Sequence, residues 1–187
     1  VDKKHSKVFF SGIAFDSSKV RKDDIFFAIK GNKSDGNNYI NSAIQRGAKI
    51  IISEKKKFKN IKNITFITSK NVRKLLANTS FKILNKKPKN LIAVTGTNGK
   101  SSVADFYYQI LELNSKKVAS IGTIGVRCKD YKKNLENTTL DPIRLSYLLK
   151  DLNKKKIEYV IMEASSHGLK QNRLDGLKFD IGIFTNL

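Results

Sequence analysis

The sequence predicts an α/β fold in two parts: a small N-terminal α/β domain, then a P-loop-type domain built on a parallel sheet. Three observations predict it. Short apolar runs alternate with segments of helical spacing along the chain. A polar, proline-containing hexapeptide, NKKPKN at residues 85–90, interrupts this alternation as a linker would. After it, a near-continuous apolar strand leads through a glycine-containing loop into a helix.

The segment before the linker predicts a strand-helix-strand unit, a further strand and a helix. DDIFFAIKG is a short apolar run closed by glycine, NYINSAIQRGA has helical spacing with a glycine stop, and AKIIISE is typical of a buried strand. NITFITS predicts another strand. NVRKLLANTSFKIL predicts a helix because its less polar positions fall on one stripe. That stripe consists of Val72, Leu75, Leu76, Thr79 and Ile83.

The segment after the linker predicts further strands and helices in alternation. NLIAVTG predicts a buried strand, KSSVADFYYQILEL a helix, and KKVASIGTIGV a strand followed by a turn of small residues. ENTTLDPIRLSYLLKDL predicts a loop that enters a helix, with Asp141 as the N-cap and Pro142 at the first helical position. Tyr159 to Ala164 and KFDIGIFTNL predict two more strands. The apolar side of the first helix consists of Val103, Phe106, Tyr107, Ile110 and Leu113.

Composition limits the class of protein. With 187 residues and 40% hydrophobic content, the chain can form one large or two small packed cores. Its single cysteine, Cys128, excludes an internal disulfide and a cysteine cluster for zinc. No stretch approaches the ~20 apolar residues of a membrane span, and the N-terminus lacks a secretory apolar region. We therefore expect a cytoplasmic protein.

The formal net charge of +21 raises the alternative of nucleic-acid binding. Only 6 of the 37 basic residues are arginine, however, and bidentate contacts to phosphates and base edges favour arginine. The lysines are spread over every segment, which favours a solvated lysine-rich surface whose field would also attract small anions. A basic module that binds nucleotide or RNA without catalysis remains the alternative.

The loop VTGTNGKSS, residues 94–102, has the chemistry of a phosphate-binding loop although Val94 stands where the common P-loop pattern has its first glycine. Gly96 and Gly99 allow the backbone to approach phosphate oxygens, and Lys100 can neutralise their charge. Ser101 or Ser102 can reach a magnesium ion. A turn that only reverses the chain would not need a lysine and hydroxyls at the start of a helix.

Two further stretches carry polar groups at the ends of predicted elements. Asn137, Thr138 and Thr139 precede the Asp141 helix and, taken alone, are equally compatible with a loop that solvates itself. Glu163 lies at the carboxyl end of a buried strand, where ligands of open α/β sheets bind, so it can hold magnesium directly or through water. Ser165, Ser166, His167, Gln171 and Arg173 follow; alone, His167 would more often be structural and Arg173 part of a surface ion pair.

These residues resemble the Mur ligases. VTGTNGKSS is similar to their ATP loop, which also lacks the usual first glycine. ENTTLDP, MEASSHGLKQNR and FTNL occur in the order and spacing of the member that adds the third residue of the peptidoglycan stem peptide. AFDSSKVRKDDIFFAIKGNKSDGNNYINSAIQRGA resembles that member's uridine-binding domain. The resemblance covers nearly the whole chain, and its SSHGL-x-Q-x-R element is more specific than the ATP loop, which the whole superfamily shares.

The resemblance implies two domains and a role for each group of matched residues. Residues 1–87 correspond to the uridine-binding domain and residues 88–187 to the N-terminal half of the ATP-binding central domain. The family positions that hold the uridine diphosphate end of the substrate correspond to Phe15, Ser17, Asn32, Lys33 and Ser34. The ATP loop corresponds to Gly96, Thr97, Asn98, Gly99, Lys100, Ser101 and Ser102. The positions that bind the muramoyl-peptide correspond to Asn137, Thr138, Thr139, Ser165, Gln171 and Arg173. Those that bind magnesium correspond to Ser101, Ser102 and Glu163, and the implied catalytic residues are Lys100 and Glu163. Ser18 departs from the pattern, which usually has arginine there.

The resemblance implies an ATP- and Mg²⁺-dependent amide ligase that adds a diamino acid to UDP-MurNAc-L-Ala-D-Glu through an acyl phosphate. Its partners would be these small molecules, with no nucleic acid or membrane, and it would be a monomer. Another member of the superfamily, such as the D-Ala-D-Ala-adding or folylpolyglutamate type, is the rival and should lack the serine-histidine-glycine element. The family's carbamylated lysine, the histidine motif and the third domain fall outside the 187 residues, so we expect a fragment that is inactive alone; Val1 also suggests a trimmed start. Whether the diamino acid is meso-diaminopimelate or lysine is not readable.

Overall fold

The computed structural model describes residues 9–31, 34–55, 61–83, 86–129 and 131–186. By its internal packing the chain divides into two compact units, Val1–Leu76 and Ala77–Leu187. This division falls within the second helix, whereas the predicted boundary after residue 87 follows that helix. The domain boundary stays a prediction.

The first unit is built on a four-stranded parallel sheet in the order β1-β2-β3-β4. Its core lies where Phe26 and Ile51 of the sheet meet Ala43 of helix α1. Two short 3-10 helices, Ser17–Lys19 and Gly36–Tyr39, follow β1 and β2. The strand and helix predictions are confirmed; the two-residue β1 was not predicted. The elements are β1 Ile13–Ala14, β2 Ile25–Phe27, α1 Ile40–Gln45, β3 Ile50–Ser53, β4 Thr65–Thr68 and α2 Val72–Ile83, the last shared between the units.

The second unit contains a six-stranded sheet in the order β10-β5-β9-β6-β7-β8. The strands β10, β5, β9 and β6 are parallel, which confirms the predicted parallel sheet. Strands β7 and β8 extend it as an antiparallel hairpin that was not predicted. The strands are β5 Asn90–Thr95, β6 Val118–Gly122, β7 Gly125–Cys128, β8 Tyr131–Lys133, β9 Tyr159–Glu163 and β10 Ile181–Phe184.

Helices cover both faces of this second sheet. Helix α3, Lys100–Leu113, packs on the face that contains Ile92 and Ile161. Helix α4, Pro142–Lys154, packs its leucines on the opposite face. Its predicted start is confirmed, because the Asp141 side chain accepts a hydrogen bond of 3.0 Å from the Arg144 amide and Pro142 is the first helical residue. A short helix, α5 Ser166–Lys170, follows β9.

The predicted apolar sides of two helices are partly wrong. In α3 Ala104 and Tyr108 are buried, whereas Phe106, Ile110 and Leu113 are 63%, 59% and 84% exposed. In α2, Ile83 is exposed. At about 100° per residue, the covered side of α3, which also includes Val103 and Tyr107, is rotated relative to the predicted apolar side. Within the described ranges, no helix is both long and apolar enough to cross a bilayer.

Candidate ATP and peptide site at the carboxyl edge of the central sheet

The parallel topology places three loops of the second unit at one edge of the sheet. The glycine loop follows β5, Glu163 ends β9, and Thr123 begins the turn after β6. Since β5, β9 and β6 are adjacent parallel strands, their carboxyl ends lie side by side. This is the edge at which open α/β sheets bind ligands.

The glycine loop has a backbone that only glycine adopts easily at two positions. Gly96 has φ +136°, and a Cβ on it would come within 2.9 Å of the Asn186 carbonyl oxygen. Gly99 has φ +79° and caps the N-terminus of α3. The loop is tied to the end of β10: Asn98 donates its amide to Asn186 Oδ1 at 3.0 Å, and the Thr185 hydroxyl donates to the Asn98 carbonyl at 2.6 Å. These bonds tie the loop to the residues after β10 and leave Thr97 and Asn98 exposed.

Lys100 folds back over this loop. Its Nζ donates to the carbonyl oxygens of Gly96 and Thr97 at 2.7 and 2.9 Å. The amides of Lys100, Ser101 and Ser102 lie in the first turn of α3 and have no partner within the helix, so they and the positive end of the helix dipole favour an anion. Ammonium and amides together form a site suited to a phosphate.

Ser101 and Glu163 meet beside the loop. The Ser101 hydroxyl donates to Glu163 Oε2 at 3.0 Å, and Glu163 is only 3% exposed. Thr123 supplies two further donors to the same carboxylate: its amide to Oε1 at 2.9 Å and its hydroxyl to Oε2 at 3.1 Å. Ser102 is exposed instead. Glu163 is therefore joined by a hydrogen bond to the residue that follows Lys100.

The donor set of this site fits magnesium. A serine hydroxyl and a carboxylate are both oxygen donors, which Mg²⁺ prefers. The described part of the chain contains no group of three or more His, Cys, Asp or Glu residues that could hold a metal by themselves. An ion held here would complete its coordination with phosphate oxygens and water, as Mg²⁺ does in nucleotide sites.

Two of the predicted peptide residues connect to Glu163, Thr138 through Thr123 and Thr139 through the Glu163 backbone carbonyl. Thr138 Oγ1 is 3.0 Å from Thr123 Oγ1. Thr139 is buried, and its hydroxyl donates to the Glu163 carbonyl at 3.0 Å and lies 3.1 Å from the Ser165 hydroxyl. Because the Thr139 hydroxyl is already hydrogen-bonded within the protein, we expect Thr139 to position Ser165 rather than to bind the peptide itself. Asn137 is exposed in the same loop.

Helix α5 brings Gln171 and Arg173 to this group. A Cβ at Gly168 would lie 2.7 Å from Thr139 Cβ, so the glycine lets α5 approach the threonine loop. The Arg173 guanidinium donates to the Thr139 carbonyl and, at 3.0 and 2.8 Å, to Gln171 Oε1. His167 Nε2 lies 2.7 Å from the Gln171 amide nitrogen. Within the serine-histidine-glycine element, Gly168 thus packs against the threonine loop and His167 contacts Gln171.

A cavity of about 560 Å³ adjoins Ser101 and Glu163 between α3 and β7. Arg127 lines it, with Nη1 2.8 Å from Asp105 and its guanidinium 4.2 Å from the centre of the Tyr108 ring. Burial, and then a hydrogen bond to Glu112, raise the pKa of the Tyr108 hydroxyl to about 12. Through these contacts Arg127 of β7 connects the hairpin to Asp105 and Tyr108 of α3.

The residues matched to uridine diphosphate lie in the first unit. Phe15 and Ser17 come directly after β1, at the carboxyl edge of the first sheet, and Ser34 lies in the loop between β2 and the second 3-10 helix. Asn32 and Lys33 lie outside the described residues.

Ser18, which stands where the family pattern has arginine, makes hydrogen bonds to a residue close to it in the chain. It donates its amide and hydroxyl to Asp16 Oδ1 at 2.9 and 2.8 Å. The hydroxyl bond is the main cause that lowers the pKa of Asp16. The chain therefore satisfies this carboxylate with a short polar side chain next to it.

Sequence reasoning missed four residues of the central site: Gly122, Thr123, Thr185 and Asn186. The last two stand in the quoted FTNL segment, but their contacts with the glycine loop come from strand order. Gly122 and Thr123 were seen only as a small-residue turn. No local pattern links them to Glu163, which lies 40 residues after Thr123.

Two family models together match nearly the whole chain. "Mur ligase family, catalytic domain" matches residues 10–93, and "Mur ligase middle domain" matches residues 94–187. The chain belongs to the Mur ligase family. Members of this family are ATP-dependent ligases.

Curated relatives identify the branch of the Mur ligase family that the chain resembles. It is 44% identical to a protein of Rickettsia conorii (strain ATCC VR-613 / Malish 7) over 94% of this chain and 37% of that protein. It is 42% identical to one of Clostridium tetani (strain Massachusetts / E88) over 97% of this chain and 38% of that protein. Both are named UDP-N-acetylmuramoyl-L-alanyl-D-glutamate--2,6-diaminopimelate ligase. The chain thus spans a little over a third of the length of these relatives.

Solved structures agree with the fold. A structure named for the same 2,6-diaminopimelate ligase superposes with a TM-score of 0.80 and 30% identity, over 95% of this chain and 36% of that one. A MurF ligase from Thermotoga maritima in complex with ADP gives a TM-score of 0.59 at 23% identity, over 96% of this chain and 38% of that one, which shows the shared fold. The resemblance to Mur ligases and the α/β fold predicted from the sequence are confirmed.

Proposed function

We propose that this chain carries the uridine-diphosphate site and half of the ATP site of a ligase that joins a diamino acid to UDP-MurNAc-L-Ala-D-Glu. The relatives named for this reaction at 40–44% identity support the substrate and favour 2,6-diaminopimelate as the diamino acid. The observation that carries the proposal is the 3.0 Å contact of Ser101 with Glu163 beside the glycine loop. ATP and Mg²⁺ are the proposed cofactors. The cytoplasm and a monomeric state remain the expected location and assembly.

The reaction has two steps. A D-glutamate carboxylate attacks the γ-phosphorus of ATP, the bond from that phosphorus to the bridging oxygen breaks, and ADP leaves with the electron pair. The diamino acid amine then attacks the carbonyl carbon of the acyl phosphate, the carbon–oxygen bond to phosphate breaks, phosphate leaves with the electron pair, and the nitrogen loses one proton to water. The first step brings two anions together, which costs about 4 kcal/mol for unit charges at 4 Å with an effective dielectric constant of 20.

Residues of this chain would offset the repulsion between the carboxylate and the triphosphate. Lys100 and the first-turn amides of α3 receive phosphate oxygens, and the fixed loop holds them in place. Ser101 and Glu163 would hold Mg²⁺, which supplies neutralisation of the phosphate charge when it is bound. Arg173 and Ser165, fixed through Thr139, would orient the peptide carboxylate.

Nucleotide binding tests this proposal on the 187-residue chain. We expect a fluorescent ADP analogue to bind in the presence of Mg²⁺ and Lys100→Ala to weaken it about tenfold or more, since a charge-assisted hydrogen bond is lost. Lys116→Ala is the matched control, because Lys116 is exposed in the segment before β6, away from this edge. Calorimetry with UDP-MurNAc-L-Ala-D-Glu should show weak binding, and the chain alone should form no ligation product when ATP, Mg²⁺ and the diamino acid are added.

Two results would contradict the proposal. One is equal nucleotide affinity in the Lys100→Ala and Lys116→Ala variants. The other is tight RNA binding with a steep salt dependence and no nucleotide binding, which would favour the basic-module alternative.

A further inference from the structure

The two-residue turn between β6 and β7 is built around the Glu163 carboxylate. Gly122 pairs with Gly125 in the antiparallel register, so Thr123 and Ile124 form the tight connection. Strand β6 is also the parallel neighbour of β9, and its last residue therefore lies beside Glu163. A Cβ at Gly122 would come 2.5 Å from Glu163 Cδ. Only glycine leaves the space in which the carboxylate now sits.

Packing alone does not fix the orientation of this carboxylate. The last torsion of a glutamate side chain is broad, so the plane of the two oxygens rotates easily. Thr123 places one donor on each oxygen: its amide on Oε1 at 2.9 Å and its hydroxyl on Oε2 at 3.1 Å. Thr123 is thus the one residue of the three-bond set that donates to both oxygens, and together with the Ser101 hydroxyl on Oε2 its two bonds oppose that rotation.

The direction of the hydroxyl protons extends this arrangement to the threonine loop. A carboxylate only accepts hydrogen bonds, so the single proton of the Thr123 hydroxyl is used on Glu163. The 3.0 Å contact between the Thr123 and Thr138 hydroxyls must then be donated by Thr138. The chain of donors runs from Thr138 through Thr123 to Glu163.

We propose that Thr123 is a positioning residue that sets the Glu163 carboxylate for the metal-nucleotide and connects it to the peptide loop through Thr138. This rests on the proposed function, because it assumes that Glu163 faces a metal-bound nucleotide. Thr123 itself need not touch nucleotide or metal. The Thr123 hydroxyl should affect one quantity, the increase in nucleotide affinity that Mg²⁺ produces, which we call the Mg²⁺-dependent gain.

The test compares ADP-analogue affinity with Mg²⁺ and with EDTA, on the 187-residue chain and its variants. Thr123→Val keeps the shape but removes the hydroxyl, and we expect it to reduce the Mg²⁺-dependent gain about tenfold while metal-free affinity stays unchanged. Thr123→Ser restores the hydroxyl and should stay within about twofold of the parent, since only a methyl group is lost. Ser120→Ala is the control, because it removes a hydroxyl from β6 that makes no described hydrogen bond to Glu163.

Thermal unfolding followed by circular dichroism accompanies each titration, and the Mg²⁺-dependent gain is compared only among folded variants. Should Thr123→Val not fold, Thr138→Val gives the second measurement, with an expected loss of about two- to threefold in the same gain, because one donor in the chain is removed. An undiminished gain in the folded valine variant would overturn the inference. So would equal losses in the valine and serine variants, since these would assign the effect to packing. If the parent chain binds no nucleotide, the proposed function fails, and this inference with it.

Discussion

Replacing Gly122 by alanine tests the geometry around Glu163 directly. The new methyl carbon would stand 2.5 Å from Glu163 Cδ and 2.6 Å from Cγ, well inside van der Waals contact. Gly122 is not among the residues with positive φ, so alanine fits the backbone and the whole effect is the contact. Glu163 must leave its three hydrogen bonds or the strands must separate. Overpacking of this kind costs about 1–3 kcal/mol.

A double-mutant cycle isolates this contact. Glu163→Ala removes the three atoms nearest to the new methyl group, so Gly122→Ala should cost less than about 0.5 kcal/mol in that background. We expect a coupling energy of about 2 kcal/mol between the two substitutions. Urea unfolding followed by far-ultraviolet circular dichroism measures each corner of the cycle.

Gly182→Ala in β10 is the matched control. A Cβ there meets nothing within 4 Å, and the free energy of unfolding should change by no more than about 0.5 kcal/mol. If Gly122→Ala costs the same with and without Glu163, to within about 0.5 kcal/mol, the contact is not the cause and the described site is wrong.

Two other substitutions test the elements that support the site. Asp141→Ala should lower the free energy of unfolding by about 1 kcal/mol through loss of the N-cap of α4, whereas Asp151→Ala, exposed near the other end of the helix, should change it little; similar losses in urea unfolding would contradict the cap. Tyr108→Phe tests the raised pKa of Tyr108. The folded state keeps this hydroxyl protonated up to about pH 12, whereas the unfolded chain loses the proton at about pH 10. The stabilisation that comes from this difference in pKa is therefore fully present below about pH 10 and is lost as the pH rises towards 12. The stability of the parent relative to Tyr108→Phe should therefore fall by roughly 2–3 kcal/mol between pH 9 and 12, and a constant difference would show that Tyr108 titrates normally.

Much of the fold follows from local sequence patterns. Apolar runs predict the long strands, and Asp141 with Pro142 predicts the start of α4. The hairpin β7–β8 escapes prediction because its strands are short and carry Arg127 and lysines between apolar residues. The exposed side of α3 escapes it for another reason: periodicity marks apolar positions but does not say which of them a neighbouring element covers.

In the candidate site, too, local patterns predict some residues and miss others. Lys100 and Glu163 could be assigned to one edge because each follows or ends a predicted strand of a parallel sheet. The strand order, which places β6 beside β9, is a property of the whole fold. That order alone brings Thr123 to Glu163, and so a turn that looked like simple chain reversal supplies two of the three donors to the buried carboxylate.

Crystals of the chain grown with Mn²⁺ and ADP give the most direct measurement of the central claim, because anomalous scattering locates the metal without reference to the fold. The account predicts one metal peak that is bound by Ser101 and by Glu163, directly or through water, with the phosphates on the amides of the glycine loop. A metal-nucleotide bound elsewhere, with Glu163 still enclosed by Thr123 and Ser101, would contradict it.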